Sequence, residues 1–419
     1  MNMTTWIKTL RECWERRWEK PQLDFLDVRE YFIPVRLELI LDALRQEDWT
    51  PQELEDLETL LVMIQEHCHY DYHHQFLKLK AAFVPFNPDI ETVVEADFSE
   101  EERNRCREEI LSGIRMFLTI SNYCELSEEQ FQECLKLQPL GGLAVKVRLD
   151  VFSKFHVFYR GVRMETVEEP VWYFWKKSRT VPILKRVFLM ACYKNEVGNG
   201  KIIVKLFRDV RVENLKIMAP EVELLLPFFD KIKVGGTTLF GILPTLLKLA
   251  NFSLKILTSV AFMTAALACV VAAVVKAIVG FFSSKNRCKS VFSSHLYYNT
   301  LANNVAAINT LIDQAETQEV KESLLACVLL YQNNKKGEQW TLSQLNDHVE
   351  RWLFEHFHHP VDFEVDDALR KLVEKRVVEQ KDGMLRVCSL RTARRRLDEI
   401  WDNFHQENNQ GNPADDVVL

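Results

Sequence analysis

The stretch ILTSVAFMTAALACVVAAVV, residues 256–275, contains no charged side chain. A helix that crosses a bilayer needs about 20 apolar residues, because the hydrocarbon core is about 30 Å thick. Lys276 interrupts the run, but residues 277–282 continue it, and a lysine near a helix end can extend its ammonium group to the interface. A buried helix of a soluble protein would normally keep one polar stripe. The stretch therefore predicts a membrane-spanning helix.

The preceding stretch, residues 234–254, is a weaker candidate, because Pro244 interrupts it and Lys248 and Asn251 follow. It is either a first membrane-spanning helix or a helix that lies in the membrane–water interface. Basic residues flank the whole apolar zone on both sides (Lys231, Lys233, Lys285, Arg287 and Lys289). Basic loops tend to stay on the cytoplasmic side, so an even number of spans is favoured. We therefore expect a two-helix transmembrane hairpin at residues 234–282.

The chain before this zone divides into a helical and a β-rich part. Residues 1–20 place an aromatic or apolar residue at every fourth position and predict an amphipathic helix (Trp6, Leu10, Trp14 and Trp18). Residues 22–140 predict a helical domain, since three capping boxes begin at Thr50, Ser99 and Ser127. Residues 141–230 alternate with a period of two, and they predict an antiparallel sheet of four or five strands that includes residues 145–149.

The chain after the apolar zone predicts a winged-helix-like module at residues 290–405. Its order is helix, helix, helix and β-hairpin, with a capping box at Thr341 and a hairpin turn at Asp382-Gly383. The polar residues 406–419 predict a disordered tail. The expected fold class is therefore an α+β membrane protein, with a helical part, a small antiparallel sheet, a transmembrane hairpin and a winged-helix-like module in that order.

Several blocks of sequence resemble one family when they are read in order. They are REYFIP (29–34), YH (72–73), PFNPD (85–89), KLFRDV (205–210), LYY (296–298), NN (303–304) and the acidic stretch at 315–326. Together they are similar to the transmembrane-protein-143-like family, membrane proteins that are defined by a domain of unknown function. Arg208, Val210 and Lys216 depart from its pattern. The resemblance extends over roughly residues 25–405 and implies the same architecture, but it implies no activity, substrate or cofactor.

The densest set of potential ligands lies at residues 66–74 (EHCHYDYHH). His69 and His73 are four residues apart and would share a helix face, as metal ligands can. Glu66 does not complete an HExxH motif, so a zinc protease is not indicated. The alternative is a partly buried helix face with histidine–carboxylate hydrogen bonds. His356, His358 and His359 suit a helix C-terminus without any ligand. We therefore predict no catalytic, cofactor-binding or metal-binding residue and no cofactor.

The charge distribution disfavours nucleic acid as a partner. The formal net charge is -7. The last helix carries a basic cluster (Arg391, Arg394, Arg395 and Arg396), but the helix before the hairpin is acidic (Asp362, Glu364, Asp366, Asp367 and Glu374). Acidic side chains there would repel phosphates. A protein partner for this module is therefore favoured.

A set of tyrosines and asparagines follows the apolar zone. We expect these side chains to fix a helix against the preceding domain (Tyr297, Tyr298, Asn303 and Asn304).

These patterns favour a membrane-anchored scaffold or regulatory protein that is not an enzyme. Its partners would be the lipid bilayer and a protein bound by the C-terminal module. One alternative is a channel or transport accessory subunit, and another is a metal-dependent membrane enzyme that uses His69 and His73. Ten cysteines without CxxC spacing suit a reducing compartment. We expect a bacterial inner membrane with both termini cytoplasmic, or else a mitochondrial membrane. The sequence does not indicate the oligomeric state.

Overall fold

A computed structural model describes residues 25–89, 98–137, 144–172, 175–198, 200–225 and 296–408, together with residue 23 and scattered positions between 272 and 294. The first elements are the helices α1 (Leu37–Arg45), α2 (Pro51–Phe83) and α3 (Glu100–Ile120). Thr50 and Ser99 cap α2 and α3 through reciprocal bonds with the residue three positions later. The capping boxes thus confirm where the sequence predicted these helices to begin.

A five-stranded antiparallel sheet forms the centre of the first half. The chain contributes helix α4 (Glu128–Lys136) and the strands β1 (Cys124–Glu125), β2 (Ala144–Val147), β3 (Phe152–Trp172), β4 (Trp175–Tyr193), β5 (Ile202–Arg211), β6 (Val222–Leu225) and β7 (Thr300–Asn303). Five of them pair in the order β1-β3-β4-β5-β7. The strands β3 and β4 form a long hairpin, and β5 returns along β4 after Gly200, whose φ is +65°.

The composition of this sheet differs from the expected one in two strands. Residues 145–147 belong to β2, which pairs with β6 as a separate two-stranded sheet. The fifth strand of the large sheet is β7, which pairs with Lys205 to Phe207 of β5 although the chain between them is long. Two-residue alternation marks a strand but carries no information on its neighbour, so the sequence pattern alone could not assign these pairs.

The C-terminal module is built on a long helix. It follows helix α5 (Asn304–Lys335) and comprises β8 (Trp340–Thr341), α6 (Leu342–Phe357), α7 (Asp366–Glu374), β9 (Val378–Lys381), β10 (Met384–Val387) and α8 (Leu390–Asn408). Its strands pair in the order β8-β10-β9. Asp382 and Gly383 both have positive φ, as the predicted two-residue hairpin turn requires. With α5 as its first helix, the module has the element order of a winged helix.

Helix α5 belongs to two hydrophobic cores at once. Its first half, including Ile308 and Leu311, packs with α3 and with strand residues such as Leu206. Its second half, including Leu324 and Leu329, packs with α1, the start of α2 and the C-terminal module. A third core covers the other face of the sheet. Because each half of α5 is buried in a different core, the helix is shared by the two halves of the molecule.

The expected fold class requires a correction. No helix among the described residues is both long enough and apolar enough to span a bilayer. The fold is α+β and is built on a five-stranded antiparallel sheet. The prediction that this fold includes a two-helix transmembrane hairpin at residues 234–282 was wrong. The long described helices, α2 and α5, carry charged residues along their length, which hydrocarbon could not solvate. Residues 226–271 lie outside the described residues, as do residues 1–20 and 409–419.

Candidate functional site

The middle of α5 is polar and nevertheless buried. Gln318, Glu319, Lys321, Glu322 and Ser323 are all at most 6% exposed. Buried polar groups are stable only when they have hydrogen-bond partners, because burial removes their bonds to water. The chain segments that supply these partners define the candidate site.

One supplier is the extended segment of residues 27–34, which we call the strap. The backbone N–H of Ile33 donates to Gln318 Oε1 at 3.1 Å, and Lys321 Nζ donates to the carbonyl of Ile33 at 3.1 Å. Gln318 Nε2 in turn donates to Glu322 Oε1 at 2.6 Å and to the carbonyl of Tyr31 at 3.4 Å. The side chains of α5 thus provide hydrogen-bond partners for backbone groups of the strap, as a neighbouring strand would.

The strap also joins the sheet to the C-terminal module. Lys185 Nζ of β4 lies 2.5 Å from Glu30 Oε2. The N–H of Asp362 donates to the carbonyl of Glu30 at 2.9 Å, and Arg29 Nη1 lies 3.0 Å from Asp362 Oδ2. Bonds to Arg29 and Tyr31 lower the pKa of Asp27 to about 2. The strap therefore contacts the sheet, α5 and the C-terminal module at the same time.

Two buried cations surround the Phe32 ring of the strap. The Arg160 guanidinium lies 3.7 Å from the centre of that ring and 4.8 Å from the centre of Tyr123. Arg160 also donates to the carbonyl of Ser121 at 3.1 Å. The Lys321 ammonium lies 5.0 Å from the same Phe32 ring. Aromatic faces attract cations, and this attraction is stronger when water is excluded.

Burial of Lys321 predicts a pH dependence of stability. Desolvation, and then the charge of Arg160, lower the pKa of Lys321 from 10.5 to about 8. Between these two values the unfolded chain holds a proton that the folded chain has released. The free energy of unfolding should therefore rise with pH from about 8 to about 10, by about 1.4 kcal/mol per pH unit for one proton, and this gain is lost as the pH falls through 8.

Urea denaturation of the wild type and of Lys321→Met at pH 8 and at pH 10 measures this effect. Titrations of other groups act in both proteins and cancel in the comparison. We expect the gain in stability towards pH 10 to be larger in the wild type than in the variant. An identical change in both proteins would contradict the assignment of the pH dependence to Lys321.

A second buried contact joins three helices. Glu319 of α5 accepts a hydrogen bond from the hydroxyl of Tyr72 on α2 and forms an ion pair with Lys371 of α7. The Lys371 ammonium also lies 5.4 Å from the centre of the Tyr72 ring. Burial and the negative charge of Glu319 raise the pKa of Tyr72, so the phenol stays protonated and donates. Tyr72 and Lys371 thus supply the polar partners that the buried carboxylate of Glu319 would otherwise find in water.

Two asparagines near the start of α5 bond to strand β5, and one of them also bonds to the loop after α2. Asn304, at φ +47°, accepts from the N–H of Val204 at 3.2 Å and donates to the carboxylate of Asp89. Asn299 donates to the carbonyls of Arg208 and Asp209 at 2.8 and 3.0 Å. Blocks that are distant in the sequence therefore meet along α5. The tyrosines do not share this role, since Tyr297 is 78% and Tyr298 is 66% exposed.

Three histidines of α2, His69, His73 and His74, lie in a surface groove that Tyr70, Leu77 and Trp401 also line. His69 Nδ1 lies 3.0 Å from Glu316 Oε1, and the rings of His69 and His73 are 5.9 Å apart. Within the described part of the chain, no group of three or more histidine, cysteine or acidic side chains is arranged to hold a metal ion. The His69–Glu316 contact is of the histidine–carboxylate kind that the alternative interpretation expected.

The other predicted clusters also have protein partners. His356 stacks on Trp352 with ring centres 4.2 Å apart, at the end of α6. The four arginines of α8 each lie within 4 Å of a carboxylate, which is Asp56 for Arg391 and Arg394, Glu399 for Arg395 and Glu379 for Arg396. These ion pairs reduce the positive field that a phosphate would meet.

A cleft opens above the Tyr72–Glu319–Lys371 contact, between α2, α3 and α7. Its volume is about 320 Å³, and its described lining consists of Tyr72, Gln75, Met116, Thr119, Ile120, Arg370 and Lys371. No sequence pattern indicates this cleft, because its three walls come from segments that are far apart in the chain. For the buried polar residues in the middle of α5, the only indication in the sequence is their position between two apolar runs.

Comparison with known proteins adds one assignment. Residues 177–306 match the family described as "Protein of unknown function (DUF3754)". The match includes most of β4, all of β5 to β7 and the first residues of α5. No solved structure matches the chain. We conclude that residues 177–306 carry this domain of unknown function.

Proposed function

We propose that this chain is a scaffold or regulatory protein that binds a protein partner through its C-terminal module. The element order of a winged helix is compatible with several kinds of partner, so it does not choose among them. The choice of a protein over nucleic acid rests on the charges of α7, the helix that precedes the hairpin.

The exposed surface of α7 and of the loop before it is predominantly acidic. Glu364, Asp366 and Glu374 are exposed, while Lys371 is engaged by the buried Glu319. Partial burial, with Asp362 and Asp366 nearby, raises the pKa of Glu364. Such a surface repels a phosphate backbone and suits a basic segment of another protein.

The test uses the intact chain, because α5 contributes to both cores and a deletion would remove part of each. We compare tagged wild type with the triple variant Glu364→Lys, Asp366→Lys and Glu374→Lys in crosslinking and pull-down from native lysate. The matched control is Glu108→Lys, Glu109→Lys and Glu133→Lys, which makes the same charge change at exposed positions of α3 and α4. Circular dichroism melts verify that all three proteins are folded.

We expect one or more proteins to be retained by the wild type and the control and to be lost from the α7 variant, because the charge reversal removes electrostatic attraction at that surface. Retention of the same set of proteins by all three would contradict the proposal.

Seven described cysteines are free thiols, which supports the further proposal that the protein works in a reducing compartment.

We also infer that the chain belongs to the transmembrane-protein-143-like family. The contacts Tyr72–Glu319 and Asp89–Asn304 support this, since each joins two of the blocks on which the resemblance rests. Other members should then carry hydrogen-bonding pairs at the corresponding positions. An alignment in which these pairs are replaced independently by apolar residues would contradict the inference.

A further inference from the structure

The cleft between α2, α3 and α7 combines cationic and apolar walls. Arg370 and Lys371 of α7 form the cationic side, while Met116 and Ile120 of α3 form the apolar side. Met116 is 42% exposed, which leaves a large apolar side chain in contact with solvent. Ligand sites of small molecules typically begin at about 300 Å³ and combine an apolar lining with a few polar groups, and this cleft meets both conditions.

The cations of the cleft can accept an anionic ligand. The Arg370–Glu374 ion pair, at 3.0 Å, joins two side chains that are about 60% exposed. Exposed pairs of this spacing contribute only about 0.3–0.5 kcal/mol, so an anion can compete with Glu374 for Arg370. Lys371 is held from behind by Glu319, yet 29% of its side chain remains exposed. None of the described residues that line the cleft carries a carboxylate.

Two polar groups on the remaining walls, the hydroxyls of Tyr72 and Thr119, already have protein partners. The Tyr72 hydroxyl is directed towards Glu319, and Thr119 Oγ1 donates to the carbonyl of Arg115 at 3.1 Å. These groups therefore shape the cleft more than they compete for a charged ligand. Three described acids pair with cations of α7 or the residue after it. Glu319 pairs with Lys371, Glu374 with Arg370 and Asp71 with Lys375.

We propose that this cleft binds a small amphiphilic anion, a carboxylate or phosphate monoester on a short apolar body. The anionic head lies on Arg370 and Lys371, and the body covers Met116 and Ile120. The ligand touches α2 and α3 of the first half and α7 of the C-terminal module, so it strengthens their contact. The cleft borders the acidic surface of α7, since Arg370 pairs with Glu374, but the proposal does not depend on the proposed protein partner.

Isothermal titration calorimetry of the full chain tests the site with four probes that share one alkyl body. Hexanoate and hexyl phosphate carry the anion, hexanol is the neutral probe and hexyltrimethylammonium the cationic one. We expect saturable binding of at least one anion, at least about tenfold tighter than of hexanol, because a charge-assisted hydrogen bond contributes about 1.5–3 kcal/mol. The preferred anion distinguishes a carboxylate from a phosphate ligand.

Variants then locate the site. Arg370→Gln should weaken binding of the preferred anion about tenfold or more, and Thr119→Trp, which fills the cleft from an exposed position, should abolish it. Arg386→Gln is the control, since it removes an exposed arginine of the same module away from the cleft. The absence of saturable binding of both anions, or equal affinity in the wild type and both cleft variants, would overturn the proposal.

Discussion

Gln318→Leu should lower the free energy of unfolding by about 3–5 kcal/mol, which is the largest effect that we expect from a single substitution. Gln318 is fully buried and connects three groups, since it accepts from the N–H of Ile33 and donates to Glu322 and to the carbonyl of Tyr31. Leucine has a similar volume but leaves a buried N–H and a buried carboxylate without this partner. Each loss costs about 1–3 kcal/mol.

Urea denaturation followed by circular dichroism measures this change, with Asn309→Leu as the control. Asn309 is exposed on the same helix, so its replacement should change stability by less than about 0.5 kcal/mol. Gln318→Glu provides a second test. It keeps the acceptor for Ile33 but sets a carboxylate against Glu322, and acidification should restore part of its stability as the new carboxyl group protonates. A loss below about 1 kcal/mol in Gln318→Leu would show that α5 does not hold the strap.

Gly161→Ala should lower stability by about 2–3 kcal/mol, which is the second large effect. Gly161 has φ +66°, where an L side chain costs about 1–2 kcal/mol. An added Cβ would also lie 2.8 Å from Lys185 Cδ and 3.0 Å from Glu30 Oε2. The Lys185–Glu30 ion pair holds these atoms in place. The substitution must therefore displace the contact between the strap and the sheet.

Gly337→Ala separates the two causes of this loss. Gly337 also has positive φ, +84°, but an added Cβ there would meet no atom within 4 Å. Thermal or urea unfolding of this variant should therefore report only the backbone cost, about 1 kcal/mol. The excess loss in Gly161→Ala measures the contact with Glu30 and Lys185. Equal losses in the two variants would mean that this contact contributes nothing.

Local features of the fold could be predicted from the sequence. The capping boxes at Thr50, Ser99, Ser127 and Thr341 each mark a helix that begins there. The Asp382-Gly383 turn likewise joins β9 to β10. These signals work because the residues that make each contact are within three positions of one another, so no distant part of the chain can change the outcome.

Long-range features could not be predicted in the same way. Glu319 and Glu322 read as part of an ordinary acidic helix face, because their partners come from α2, α7 and a neighbouring side chain of α5. The place of β7 beside β5 depends on a pairing across the chain that alternation does not encode. The transmembrane prediction relied on the apolar composition of residues 234–282 and on the basic residues that flank them. The candidate cleft was missed because its two adjacent cations matter only once α7 lies against α2 and α3.

Hydrogen exchange during urea denaturation tests most directly the claim that α5 and the strap unite the two halves into one folding unit. Mass spectrometry would follow peptides from β4 and β5 and peptides from α6 and β10 in the same samples. The account predicts that both sets lose protection at one urea concentration, because each core contains part of α5. Loss of protection in α6 and β10 at a clearly lower concentration, with β4 and β5 still protected, would contradict it.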